Sequence, residues 1–184
     1  MKRIHFSLIV IGIICLLPMA SFAGSYSVDF ILEQVKQQRL PEYCAHMGVL
    51  HQGRTAEGRQ LRAAYGPDWE HMHHFCWALV DAQKGSDHQA LANLDYVLRN
   101  SSKSFKMRPM VLKQKAQILE LNNKLPEAVP VYRELVDVAP DEEDGYLGLA
   151  RIFLRQGDQS TATEIVNLGL KNIPDSEKLK ELIK

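Results

Sequence analysis

The sequence predicts an all-α fold, an array of helical hairpins stacked one on the next, and three observations carry that prediction. A shift of 34 residues superposes Ala116 on Ala150, Leu119 on Phe153, Asn123 on Gly157, Ala128 on Ala162, Tyr132 on Val166 and Pro140 on Pro174. An earlier copy, residues 74–100, fits at a shift of 38, with Ala78 on Ala116, Gly85 on Asn123, Ala90 on Ala128 and Leu94 on Tyr132. Self-similarity at such a period is what stacked supersecondary units leave in a sequence. Within each copy the residues read as two amphipathic helices. Small side chains stand where the helices cross, and a Gly or Asn supplies a left-handed turn between them. In the last two copies a Pro closes the second helix.

The elements follow in chain order. Residues 1–23 place Lys2 and Arg3 before an apolar run, then small residues at Ser21 and Ala23, the layout of a secretory signal cleaved after Ala23; the alternative is an uncleaved anchor, since the run from Ile4 to Ala23 is long enough to span a bilayer. Residues 24–66 form an irregular helical cap, with one helix over "SVDFILEQVKQQRL" and a second opened by Pro41. Gly66 and Pro67 make a turn and Asp68 caps the helix that follows, to which Trp69, Phe75 and Trp77 supply apolar area. An alternative makes Tyr65 and Trp69 an exposed aromatic anchor for a partner. Residues 67–174 carry three repeats, at about 71–104, 109–140 and 143–174. The acidic run 141–144 sits at the start of the third, where carboxylates complement a helix N-terminus, and it lacks the glycine and distal Glu of a calcium loop. In residues 175–184, Asp175 and Ser176 cap a last helix whose Leu179, Leu182 and Ile183 cover the final repeat.

With Tyr146, Leu149, Ala150, Phe153, Gly157, Ala162 and Pro174 in place, the chain resembles the tetratricopeptide repeat family over residues 71–174. It departs from the pattern where the first copy lacks its closing Pro, where Lys115 replaces a Leu and where Gly169 replaces the second Ala. The resemblance implies a right-handed α-solenoid of about three hairpins between an N-terminal helical cap and a C-terminal capping helix. It also implies that the first helices of successive repeats line a concave face that grips a protein partner. Carried over position by position, that face comprises Met72, Phe75 and Leu79, then Met110, Lys113, Gln117 and Glu120, then Asp144, Leu147, Arg151, Leu154 and Arg155.

Removal of the signal leaves Cys44 and Cys76, and an even cysteine count in an exported chain reads first as a disulfide. The stretch "HMHHFC" raises a metal site as a competing reading. His71 and His74 share a helix face, and His46 lies near Cys44, so these three form a conceivable ligand set. Two imidazoles on one face are only half of a closed zinc site, and no paired-cysteine, His-Glu-x-x-His or haem-attachment spacing is present. By the repeat alignment His74 falls on Leu112 and Tyr146, an inward packing position.

Lys2 and Arg3 leave with the signal, so a chain with 22 basic and 22 acidic residues matures slightly acidic, with scattered lysines and no nucleic-acid motif. No Gly-x-Ser-x-Gly elbow or phosphate-cradling glycine loop appears. The expectation is therefore a non-enzymatic adaptor or assembly factor without a cofactor. It is exported to the periplasm, monomeric when unbound, and holds an envelope or membrane-complex protein transiently or as an accessory subunit. The alternative is a metal- or haem-handling protein using His46, His71, His73 and His74.

Overall fold

Every regular element among the described residues is helical. The structure is a computed structural model that describes residues 40–46 and 56–183. The expected export signal and the expected helix ahead of Pro41 lie outside the described residues, as does the side chain of His46. A short 3-10 turn over Glu42–His46 precedes α1 (Ala56–Tyr65), and a second, Pro67–His71, leads into α2 (Met72–Gln83). Then follow α3 (Asp87–Asn100), α4 (Arg108–Leu121), α5 (Leu125–Val138), α6 (Glu143–Arg155), α7 (Gln159–Asn172) and α8 (Glu177–Leu182).

Helices adjacent in the chain pair, α2 with α3, α4 with α5 and α6 with α7, and each pair also rests on the next. The turns inside the pairs contain Gly85, Asn123 and Gly157, all at positive φ (73°, 57° and 80°). Left-handed backbone is open to Gly and tolerated by Asn, so the residues seen in the sequence are those the turn demands. Pro140 and Pro174 stand just beyond the ends of α5 and α7. The repeated alanines Ala78, Ala90, Ala116, Ala128, Ala150 and Ala162 have no exposed surface, as expected where two backbones cross closely.

Three apolar clusters run along the chain. The first joins Cys44, Trp69, Met72 and Phe75 to Leu94, Val97 and Val111. The second is built around Leu112, Tyr132, Leu135, Leu149 and Ile152, and the third around Tyr146, Val166 and Leu179. The first two clusters contain buried residues of two hairpins, and the third joins α6 and α7 to Leu179 of α8, with Val136 of α5 packed against it. Two glycines record how tightly these layers meet. A Cβ on Gly148 of α6 would lie 2.3 Å from the Tyr132 ring of α5, and one on Gly169 of α7 would lie 2.8 Å from Leu179 of α8. The Gly that replaces a repeat alanine is therefore where α8 docks. Ser176 caps α8, accepting from the Leu179 amide at 3.1 Å, and Leu179 is fully buried.

At the N-terminal end, Cys44 and Cys76 are disulfide-bonded, with Cα atoms 5.6 Å apart. Two details differ from the sequence reading, at Asp68 and at Trp77, which was expected to pack but is 42% exposed, and the alternative of an exposed anchor at Trp69 falls. Asp68 does not cap the helix; its carboxylate accepts from the Ser102 amide (2.9 Å) and hydroxyl (2.6 Å), tying the turn to the loop between α3 and α4. Those hydrogen bonds hold the Asp68 carboxyl below its usual range. Trp69 is only 4% exposed, stacked on Tyr65 at 4.9 Å and met edge-on by Tyr43 at 5.6 Å, so it is a core residue and not an exposed anchor.

Candidate partner-binding face

The first helices of the three hairpins are α2, α4 and α6, and α4 lies directly against α6 although α5 separates them in the chain. A one-repeat offset brings their side chains into register, and opposite charges meet across the seam. Lys113 Nζ lies 3.3 Å from Glu142 and 3.2 Å from Asp144. Arg151 places Nε and Nη2 each 3.2 Å from the Glu120 carboxylate, which also accepts from the Tyr132 hydroxyl at 2.7 Å. Arg155 donates to Asn123 Oδ1 at 3.0 Å. The result is a ladder of cross-helix ties along one wall.

The electrostatics follow from that geometry. Burial alone would raise the Glu120 carboxyl, but hydrogen bonds from Arg151 and Tyr132 outweigh it and hold the group below the usual carboxylate range. Desolvation pulls Lys113 down, and its two acidic neighbours more than reverse this, so its ammonium is held more strongly than in water. Tyr132 is pushed up by burial and by donating to Glu120. Both Lys113 and Arg151 thus already have carboxylate partners within the chain. Groups still presented to solvent include Met110 (36% exposed) and Arg155.

The expected face residues divide into two sets. Met110, Lys113, Gln117, Glu120, Asp144, Arg151, Leu154 and Arg155 are partly or fully exposed. Met72, Phe75 and Leu147 are interior, with exposures of 0%, 2% and 5%. Met72 and Phe75 pack beneath Cys44 and Trp69, and Leu79 is half-buried against the same cluster. The expectation that Met72 and Phe75 line the concave face is corrected: both are buried in the cluster that also holds Cys44 and Trp69. Tyr43 packs against the same cluster, its hydroxyl 3.1 Å from the Met110 thioether, and burial with the nearby Tyr65 pushes its pKa up to about 12.

Two bridging charged residues, one a buried base and one an acid, had roles that escaped the sequence reading. Arg108 is 7% exposed, with Nε on Glu134 at 2.9 Å and Nη1 on the Leu98 carbonyl at 3.0 Å, so it clamps α3, α4 and α5 together. Glu143, taken as a helix N-terminal acid, also accepts from Ser176 and pairs with Lys178 at 2.7 Å, holding α8. The readable signal was the spacing: Lys113 and Asp144, like Glu120 and Arg151, are oppositely charged residues nearly one repeat apart.

The histidines form a different surface. His74 Nδ1 lies 2.7 Å from Asn93 Oδ1, whose amide donates to Asp81 at 2.9 Å, and the His74 ring stacks on Tyr96 at 3.8 Å. His73 Nδ1 lies 2.6 Å from the Glu70 carbonyl. His71 meets Tyr96 edge-on at 5.8 Å. His74 is half-buried, not interior as Leu112 and Tyr146 are, and no hairpin packs on it among the described residues. Among the described residues no three His, Cys, Asp or Glu side chains are placed to hold a metal ion. The chain matches no protein-family model and no curated protein.

Proposed function

We propose that the chain is an exported, non-enzymatic adaptor that holds a helix or extended peptide of another protein against the wall formed by α4 and α6. In this reading α2 to α7 are three tetratricopeptide-like hairpins in a right-handed solenoid, with residues before α2 as one cap and α8 as the other. The observation that carries the reading is the α4 to α6 seam. α4 and α6, the first helices of the second and third hairpins, lie side by side, cross-tied by Lys113, Glu142, Asp144, Glu120 and Arg151, which makes one continuous surface across the two. A preorganised surface loses little entropy when a partner lands on it. Its chemistry suits an amphipathic partner: Met110 and Leu154 are adaptable apolar contacts, and Arg155 is an exposed cation for a carboxylate.

The Cys44 to Cys76 bridge supports export, because such bonds persist in oxidising compartments. None of the described helices is long and apolar enough to cross a membrane. An envelope protein bound transiently, or a complex in which this chain is an accessory subunit, both satisfy this chemistry.

The test is site-specific photo-crosslinking in producing cells. A photoreactive residue at Gln117 should trap one discrete partner, and the same residue at Glu164, exposed on α7, should not. Equal labelling from both positions, or none from Gln117, contradicts the proposal.

A further inference from the structure

A second surface stands apart from the α4 to α6 wall and does not depend on it. Residues 73, 77, 80 and 84 lie together on one side of α2, away from Met72 and Phe75. The shift of 38 places them on Val111, Lys115, Ile118 and Asn122 of α4, and the further 34 places them on Gly145, Leu149, Ile152 and Gln156 of α6. In α4 and α6 this side is where the preceding hairpin packs. Val111 and Ile118 belong to the first cluster with Leu94 and Val97 of α3, and Leu149 and Ile152 belong to the second with Tyr132 and Leu135 of α5. Ile118, Leu149 and Ile152 are 4%, 5% and 0% exposed. On α2 the same side is open: Trp77 is 42% exposed, and α1 packs instead on the two 3-10 turns.

The match extends to the clefts. One of about 440 Å³ is lined by Lys115 and Leu119 of α4, Val131 of α5, and Leu91 and Asp95 reaching in from α3. Another, about 340 Å³, is lined by Trp77, Asp81, Asn93, Val80 and Lys84. Trp77, Asp81 and Asn93 are the residues that the shift places on Lys115, Leu119 and Val131. The second cleft therefore repeats the first, with no described helix in the place of α3. In the first cleft the incoming helix supplies an apolar residue and, one turn on, a carboxylate, Asp95, which meets Lys115 at 2.6 Å. In the second, Trp77 offers apolar surface, held nearly perpendicular to the His73 and His74 rings at 4.9 and 4.8 Å. Lys84 has no carboxylate partner among the described residues.

We infer that this face is a docking site for an amphipathic helix of another protein, laid across Trp77 and Val80 as α3 lies across Lys115 and Ile118. The partner helix presents a Leu-like residue to the cleft and an Asp or Glu one turn away to Lys84. Trp77 is the anchor: a large, preoriented, half-exposed aromatic at the centre of a cleft is the residue type on which binding energy concentrates.

The chain carries its own probe. A synthetic peptide of residues 87–100, the sequence of α3, is made helical by a lactam between positions 89 and 93, opposite Leu91 and Asp95. Labelled with fluorescein and titrated with the full chain, it should bind saturably and shift the emission of Trp77. Trp77→Ala should weaken binding by about tenfold or more while leaving the helical CD spectrum unchanged. Leu91→Glu in the peptide should do the same, Lys84→Glu should weaken it several-fold, and Arg155→Ala on the other wall should change nothing. Absence of binding, or binding indifferent to Trp77→Ala, overturns the proposal. So does a Trp77 already shielded from acrylamide in the free protein, whether by its own N-terminal residues or, if shielding grows with concentration, by a second copy.

Discussion

Replacing Gly148 by Ala tests the stacking directly. In an isolated helix this change stabilises by about 1 kcal/mol, because Ala is the better helix former. Here the new Cβ would lie 2.3, 2.4 and 2.6 Å from three carbons of the Tyr132 ring. The ring has nowhere to go: Tyr132 is fully buried, and its hydroxyl is held by Glu120 at 2.7 Å. Overpacking of this kind costs about 1 to 3 kcal/mol, and contact with three rigid ring atoms belongs at the upper end. Set against the helix gain, the net loss is about 2 kcal/mol, a fall in Tm of about 4 to 8 °C for a chain of this size. Urea and thermal unfolding followed by CD give the value. In a Tyr132→Leu background the same change should cost at least about 1 kcal/mol less, since the clash is then removed. A neutral or stabilising Gly148→Ala would mean that α5 does not rest on α6 as described, and the reasoning about the hairpin interface would fail with it.

Other consequences are equally concrete. Cys44 and Cys76 are 32 residues apart, and closing such a loop is worth about 3.7 kcal/mol on the chain-entropy description, so reduction should lower the urea midpoint accordingly. A change below about 1 kcal/mol would show that the bridge constrains little. Glu120 has a folded pKa below its unfolded one, so its contribution is present in full above the unfolded value of about 4.3 and is lost as pH falls through the folded value. Stability of the parent should therefore fall more steeply than that of Glu120→Gln on acidification from about pH 6, and parallel curves would contradict the Arg151 tie. Ser176→Ala removes the cap of α8 and should cost about 1 kcal/mol, read as faster hydrogen exchange at the Leu179 amide. Unchanged exchange there would mean that Glu143 and Lys178 alone hold the helix.

The elements legible in the sequence were those whose residues serve the backbone. Ala116, Ala128, Ala150 and Ala162 recur because only a small side chain fits a close crossing, and Gly85, Asn123 and Gly157 recur because the turn is left-handed. Both demands are the same in every copy, so they leave a period. The ends of the array were harder to read because the period misleads there. His74 occupies an inward register position, yet it is half-buried, since among the described residues no hairpin lies on it. Met72 and Phe75 occupy the register positions of Met110 and Lys113, yet they are interior, buried in the cluster that also holds Cys44 and Trp69. The charge ladder was invisible to local reading for another reason: Glu120 and Arg151 make sense only once helices two apart in the chain are neighbours in space. Arg108, a buried cation shared between Glu134 and the Leu98 carbonyl, carries no sequence signature at all.

The central claim is that the wall built from α4 and α6 is where a partner is held. Hydrogen exchange by mass spectrometry, on the chain alone and with the protein trapped from Gln117, tests it most directly. The account predicts slowed exchange concentrated in residues 110–121 and 144–155, with α5 and α7 little changed. Slowing confined to α5 and α7, or none anywhere in the hairpins, would contradict it.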